Sequence, residues 1–117
     1  MNKKLYALGR LKTGQMNKTE SAYSQHLELQ KRAGEVLWFA FDAVKLRLAD
    51  NTFLSVDFFV MTKGLELQAI DVKGSMAIAT EDAKAKMKFA SDKFPFRFFY
   101  VVPVAKKNGG GWNLIEV

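Results

Sequence analysis

Apolar and polar positions recur along the chain with two different periods, and the change of period marks the elements. From Asn17 or Thr19 to Ala33 the repeat is helical. Tyr23, Leu27 and Gln30 fall on one side, Ala22, His26, Leu29 and Ala33 lie beside it, and Gly34 is the stop. Residues 35–41, 43–48, 53–61 and 65–73 then read as strands, parted by turns at 49–52 and 62–64. Thr80 with Glu81 and Asp82 predicts a capped second helix, in which Ala79, Ala83, Met87 and Ala90 are spaced for one buried face until Pro95 ends it. Residues 96–104 form an apolar strand, and Asn108 with three glycines turns into a last strand over 112–117. Between the helices this makes three or four strands in succession, and the order α-β-β-β-α-β-β predicts an α/β fold, a mixed sheet flanked by helices. Residues 96–102 are apolar on both faces, which predicts a central strand or part of a subunit interface.

With 117 residues the chain is long enough for one domain with a real core. Residues 1–16 lack periodicity and read as a basic N-terminal arm, with 17–117 as the domain. Cysteine is absent, so disulfides and thiolate metal sites play no part, which fits a reducing compartment. No apolar run reaches the ~18 residues a membrane span needs, and the chain reads as a soluble cytoplasmic protein. Lysine and arginine exceed acids by 18 to 12, unevenly. Residues 1–18 hold Lys3, Lys4, Arg10, Lys12 and Lys18 with no acid, and residues 84–107 hold seven bases against Asp92. Two basic blocks around an acidic middle fit a polyanionic partner, nucleic acid first, or an ordinary solvated surface.

The chemistry concentrates where charge interrupts apolar strands. In residues 65–73 alternation puts Leu65, Leu67, Ala69, Asp71 and Lys73 on one face, so Asp71 and Lys73 project together from the strand end. In residues 53–61 Phe53, Ser55, Asp57, Phe59 and Met61 share a face, leaving Asp57 between phenylalanines. Such a carboxylate is ionised and paired, binds a cation, or accepts a large pKa rise. On neighbouring strands, roughly 5 Å apart, Asp57 and Asp71 would reach one cation, and hard oxygen ligands suit Mg²⁺ or Mn²⁺. Glu20 follows Tyr23 and Leu27 in i, i+3, i+7 spacing and so faces the sheet. The run Asn17-Lys18-Thr19-Glu20 also reads as a capping box, and spacing alone leaves both roles open. His26 reads as a half-buried, hydrogen-bonded histidine, and Trp38 and Trp112 as core or interface.

This arrangement resembles the PD-(D/E)XK nuclease superfamily, whose motif is a helical Glu, an Asp on one strand and (D/E)-X-K at the end of the next. The matching positions here are Glu20, Asp57 and Asp71-Val72-Lys73. More narrowly, MNKTESAY, LRLADNTFLSVDFFV, AIDVKG, EDAKAKMKF and GGWNLIEV look like a small phage-associated nuclease-like family, over nearly the whole chain from Met16. Val56 stands where proline is usual, and Asp71 where Glu is more common; neither change removes a ligand.

The resemblance implies a restriction-endonuclease-like core and a metal-dependent endonuclease acting on DNA, in phage DNA processing or branched-DNA resolution. It implies Glu20, Asp57, Asp71 and Lys73 as the catalytic set. Asp57, Asp71, Glu20 and the Val72 carbonyl would ligate Mg²⁺, for which Mn²⁺ substitutes. Lys86 or Lys88 would touch the substrate phosphate. Arg10, Lys12, Lys18, Lys84, Lys86 and Lys88 are the expected nucleic-acid contacts, with Lys84 and Lys88 on one helix face. A homodimer would suit paired cuts. The alternatives are a non-catalytic nucleic-acid-binding module of the same fold and an assembly protein in which these charges are structural ion pairs.

Overall fold

The computed structural model describes residues 14–117, so Arg10, Lys12 and most of the expected arm lie outside the described residues. Helix α1 (Lys18–Arg32) begins at Asn17, whose side chain accepts the Glu20 N–H while the Glu20 carboxylate accepts the Asn17 N–H. This reciprocal cap satisfies two of the amides that every helix start leaves free. Five strands follow: β1 (Val36–Phe41), β2 (Lys45–Ala49), β3 (Thr52–Ser55), β4 (Phe58–Thr62) and β5 (Leu67–Val72). Helix α2 (Glu81–Lys93) starts on the Thr80 hydroxyl, which accepts the Ala83 N–H, and then come β6 (Arg97–Pro103) and β7 (Trp112–Glu116).

The result is α/β. A mixed five-stranded sheet runs in the order β1-β4-β5-β6-β7, with β2 and β3 paired as a separate hairpin. Strands β5 and β6 are parallel, joined by α2 as the crossover, and every other neighbouring pair is antiparallel. Strand β6 lies between two partners, which is why residues 97–102 can be apolar on both faces.

Both faces of the sheet are covered, and alternation along each strand sorts residues between them. Phe58, Val60, Ile70, Val72, Phe99 and Val101 meet Tyr23 and Leu27 of α1. Phe59, Ala69, Phe98 and Tyr100 meet Met87 and Ala90 of α2, together with Leu46, Leu48 and Val56 from the hairpin and its exit. Met16 packs at the margin of the α1 side, so the segment just before α1 belongs to the core rather than to a free arm.

Two expected strands are cut differently. The stretch 53–61 is not one strand: it breaks at Val56-Asp57, with β3 pairing β2 and β4 pairing β1 and β5. At the break the Asp57 C=O accepts the Asp42 N–H at 2.8 Å, and Val56 is buried beneath the hairpin. Phe53 and Asp57 therefore do not share the face of one strand. The stretch 65–73 shortens to β5 because Leu65 belongs to the preceding turn. Its N–H donates to the Thr62 C=O, its φ is +64°, and its side chain is 75% exposed. No helix among the described residues is long and apolar enough to cross a membrane.

Candidate active site

Extending the β4–β5 register by one residue from Phe58↔Ile70 brings Asp57 opposite Asp71. The side chain of Asp57 turns across to β5, where its Oδ2 accepts the Val72 N–H at 2.7 Å. Asp71 points to the α2 side, and its Oδ2 lies 3.3 Å from Lys73 Nζ. Lys73 follows the strand end and is held there by its own N–H donating to the Val101 C=O at 2.9 Å. An aspartate and a lysine two residues apart thus form an ion pair at the point where β5 leaves the sheet, each less than a quarter exposed.

The two aspartates are within hydrogen-bonding reach of one another, and Glu20 reaches Asp57 from the first turn of α1. Burial drives the Asp57 carboxyl up to about 8, with the Asp71 charge adding to the rise, the Val72 N–H opposing it, and Glu20 adding again. Asp71 is also raised, by burial first; the Lys73 ammonium pulls against that rise. Two carboxyls this close cannot both ionise cheaply, so without a further cation Asp57 keeps a proton near neutral pH. Of the three fates open to such a carboxylate, burial and the neighbouring Asp71 charge favour the raised pKa.

Glu20 takes the capping role, and its side chain also approaches Asp57. One of its oxygens closes the cap on Asn17, and the carboxylate still faces Asp57. That cap ties Glu20 down, and among the described residues no three His, Cys, Asp or Glu side chains are gathered closely enough to hold one metal ion together. Asp57 and Asp71 are the converging pair, and Glu20 stands one step behind them. Comparison with known protein families, with curated proteins and with solved structures finds no match.

The expected nucleic-acid contacts divide. Lys18 is exposed in the first turn of α1, beside Glu20 in sequence. Lys84, Lys86 and Lys88 are exposed along α2. Lys84 lies 3.8 Å from Glu81, whereas Lys86 lines an apolar groove with Leu48, Ala49, Thr52 and Phe89, facing the hairpin and not the aspartates. His26 is half-buried, as its setting suggested, but among the described residues its ring makes no protein hydrogen bond; it stacks on Tyr23 at 5.6 Å, and burial lowers its pKa. Trp112 packs on Tyr23, whereas Trp38 is 45% exposed on the edge strand β1 and is not core.

Sequence reasoning missed Tyr100 and Asp42. Tyr100 sits directly beside Asp71 across the parallel β5–β6 ladder, and burial together with the Asp71 charge raises its phenol. Its hydroxyl is buried without a hydrogen-bond partner among the described residues. Asp42 fixes Asp57 through its backbone, and its own Oδ2 accepts the Gly14 N–H at 3.1 Å. Neither leaves a signal in the sequence, because each depends on register between distant strands.

Proposed function

We propose that the protein is a metal-dependent nuclease that hydrolyses phosphodiester bonds, with DNA as its substrate. The observation that carries this reading is the convergence of Asp57 and Asp71 at the ends of the adjacent inner strands β4 and β5, beside Lys73 and with Glu20 approaching from α1. The α/β architecture supports it: a mixed five-stranded sheet flanked by α1 and α2, with α2 as the crossover between β5 and β6, is compatible with the core that the resemblance implies.

The donor set fits a divalent cation. A buried carboxyl pair with one ammonium beside it holds more potential negative charge than the chain neutralises, which is the electrostatic setting a Mg²⁺ or Mn²⁺ ion relieves. Asp57 and Asp71 would hold the ion, with the Val72 carbonyl nearby and Glu20, one step behind, completing the shell through water. Bound there, the ion would supply charge neutralisation at the scissile phosphate and acidify a coordinated water.

The remaining steps belong to the side chains. Lys73, held by Asp71, donates hydrogen bonds to the attacking water or to the phosphate oxygens as negative charge grows on them. The Val72 N–H fixes the rotamer of Asp57, so the carboxyl pair is oriented before substrate arrives.

The direct test is incubation of the purified chain with single-stranded, duplex and branched DNA and with RNA, in Mg²⁺ and in Mn²⁺. Lys73→Met keeps the apolar stem and deletes the ammonium, so cleavage should fall by at least ~10²-fold. Binding should change little, since one phosphate contact among several is lost. If the wild type cuts none of these substrates, the nuclease reading fails and a binding module of the same fold replaces it. Equal cleavage by Lys73→Met would refute the role given to Lys73.

A further inference from the structure

We propose that the outward face of the β2–β3 hairpin is a nucleic-acid contact that holds an unpaired stretch of the strand leading to Asp57. The inference rests on the nuclease reading and adds a surface that the motif residues do not include.

The hairpin is two-faced by alternation. Along β2, Lys45, Arg47 and Ala49 are exposed while Leu46 and Leu48 are buried against α2; along β3, Phe53 and Ser55 are exposed. The register pairs Lys45 with Ser55 and Arg47 with Phe53, and residues directly opposite in an antiparallel pair point the same way. Lys45, Arg47, Phe53 and Ser55 therefore form one outward patch. Phe53 adds nothing to the inward core, and its ring is 38% exposed.

Lys45 Nζ lies 4.7 Å from the Phe53 ring centroid, and Arg47 on the facing strand pairs with Asp50 in the turn. The other acid near the patch, Asp42 at its root, is already engaged by the Gly14 N–H. An exposed ring between two cations matches the repeating chemistry of a single strand, in which a base stacks on the aromatic and flanking phosphates meet the bases.

Position links this patch to the candidate site. Ser55 is two residues before Asp57, and a cavity of about 320 Å³ lined by Asp42, Ala43, Val44, Lys45 and Ser55 lies at the hairpin root. One of its walls, Asp42, donates its backbone N–H to the Asp57 carbonyl. At ~3.3 Å per strand residue, Phe53 lies roughly 13 Å from Asp57 along the chain, the length of a few nucleotides. A strand lying on the hairpin would thus run toward the carboxyl pair.

The test is fluorescence anisotropy of the full chain with a labelled mixed-sequence single-stranded DNA and with its duplex, in EDTA, across a KCl series. EDTA separates binding from cleavage. Phe53→Ala should weaken single-strand binding about tenfold with little change for duplex and none in the salt slope. Phe53→Leu should behave as Phe53→Ala, because it keeps apolar bulk and loses the π-face. Lys45→Ala with Arg47→Ala should flatten the log–log salt slope by about 1.4, two single-strand phosphate contacts. The control pair Lys31→Ala with Arg32→Ala removes the same charge from the last turn of α1 and should leave the slope unchanged.

Full affinity in Phe53→Leu, or equal losses in hairpin and control pairs, would overturn the proposal while the nuclease reading stands. A wild type that binds no nucleic acid would overturn both.

Discussion

Asp57 is the residue whose state most depends on conditions. With its carboxyl at about 8 in the fold, against ~3.9 in an unfolded chain, the native state binds a proton that the unfolded state has released. The stability associated with that proton is full below pH ~4 and is lost as pH rises through about 8. In EDTA the melting temperature of the wild type should therefore fall from acid to alkaline pH more steeply than that of Asp57→Asn, which has no proton to lose. Above pH 8 the variant should be the more stable by an amount on the order of a few kcal/mol. The proposed Mg²⁺ would bind the ionised form, so it should raise the wild-type melting temperature most at high pH and leave Asp57→Asn nearly unmoved. Parallel pH curves for the two proteins would show that the proton is not held where the geometry puts it. The sequence exposed this tension, because a lone acid among phenylalanines has few options. It did not expose the Val72 N–H that orients the acid, since that bond spans fifteen residues of chain and depends on the β4–β5 register.

Among the elements, α1, α2 and β6 were legible because their signals are local: a side-chain cap at each helix start, Pro95 after α2, and an unbroken apolar run in β6. The break at Val56-Asp57 was not. Residues 53–61 are apolar enough to pass as one strand, and what divides them is tertiary: β3 pairs outward to β2 while β4 inserts between β1 and β5. A chain that leaves one sheet and enters another needs a pivot, and here the pivot is the residue that carries the carboxyl. The turn before β5 was read two residues too short for a similar reason. Leu65 adopts φ +64°, a conformation that costs a branched L-residue about 1–2 kcal/mol and glycine almost nothing. Leu65 is also largely exposed, so its removal forfeits little burial. Leu65→Gly should raise stability by up to about 1 kcal/mol in urea denaturation, after the entropic cost of glycine in the unfolded chain. Loss of stability would mean that Leu65 makes an apolar contact that outweighs its backbone strain.

At the scale of the whole molecule, the proposed chemistry gathers where the inner strands β4 and β5 meet the end of the sheet. The start of α1, the N-terminal end of β4, the C-terminal end of β5 and the root of the hairpin meet there, inside a chain whose formal net charge is +6. Composition offers a polyanionic partner as one of two readings but carries no trace of this convergence, because Glu20, Asp57 and Asp71 come from three elements brought together only by packing. The basic field and the acidic site act in opposite directions on a nucleic acid: the first attracts phosphates, and the second repels them until its charge is neutralised. Asp71→Asn tests that opposition. It removes the ionised partner of Lys73, raises the formal net charge from +6 to +7, and takes away one of the two proposed ligands. Without divalent ions, the released Lys73 ammonium and the lost carboxylate should tighten DNA binding a few-fold at low salt. The gain should shrink as salt screens it. With Mg²⁺, cleavage by the same variant should vanish. Binding and turnover would then move apart under one substitution, an outcome that a purely structural Asp71–Lys73 ion pair does not produce. If Asp71→Asn instead weakens binding and lowers the melting temperature together, the pair is holding the fold, and the end of β5 is a structural junction rather than a site of hydrolysis.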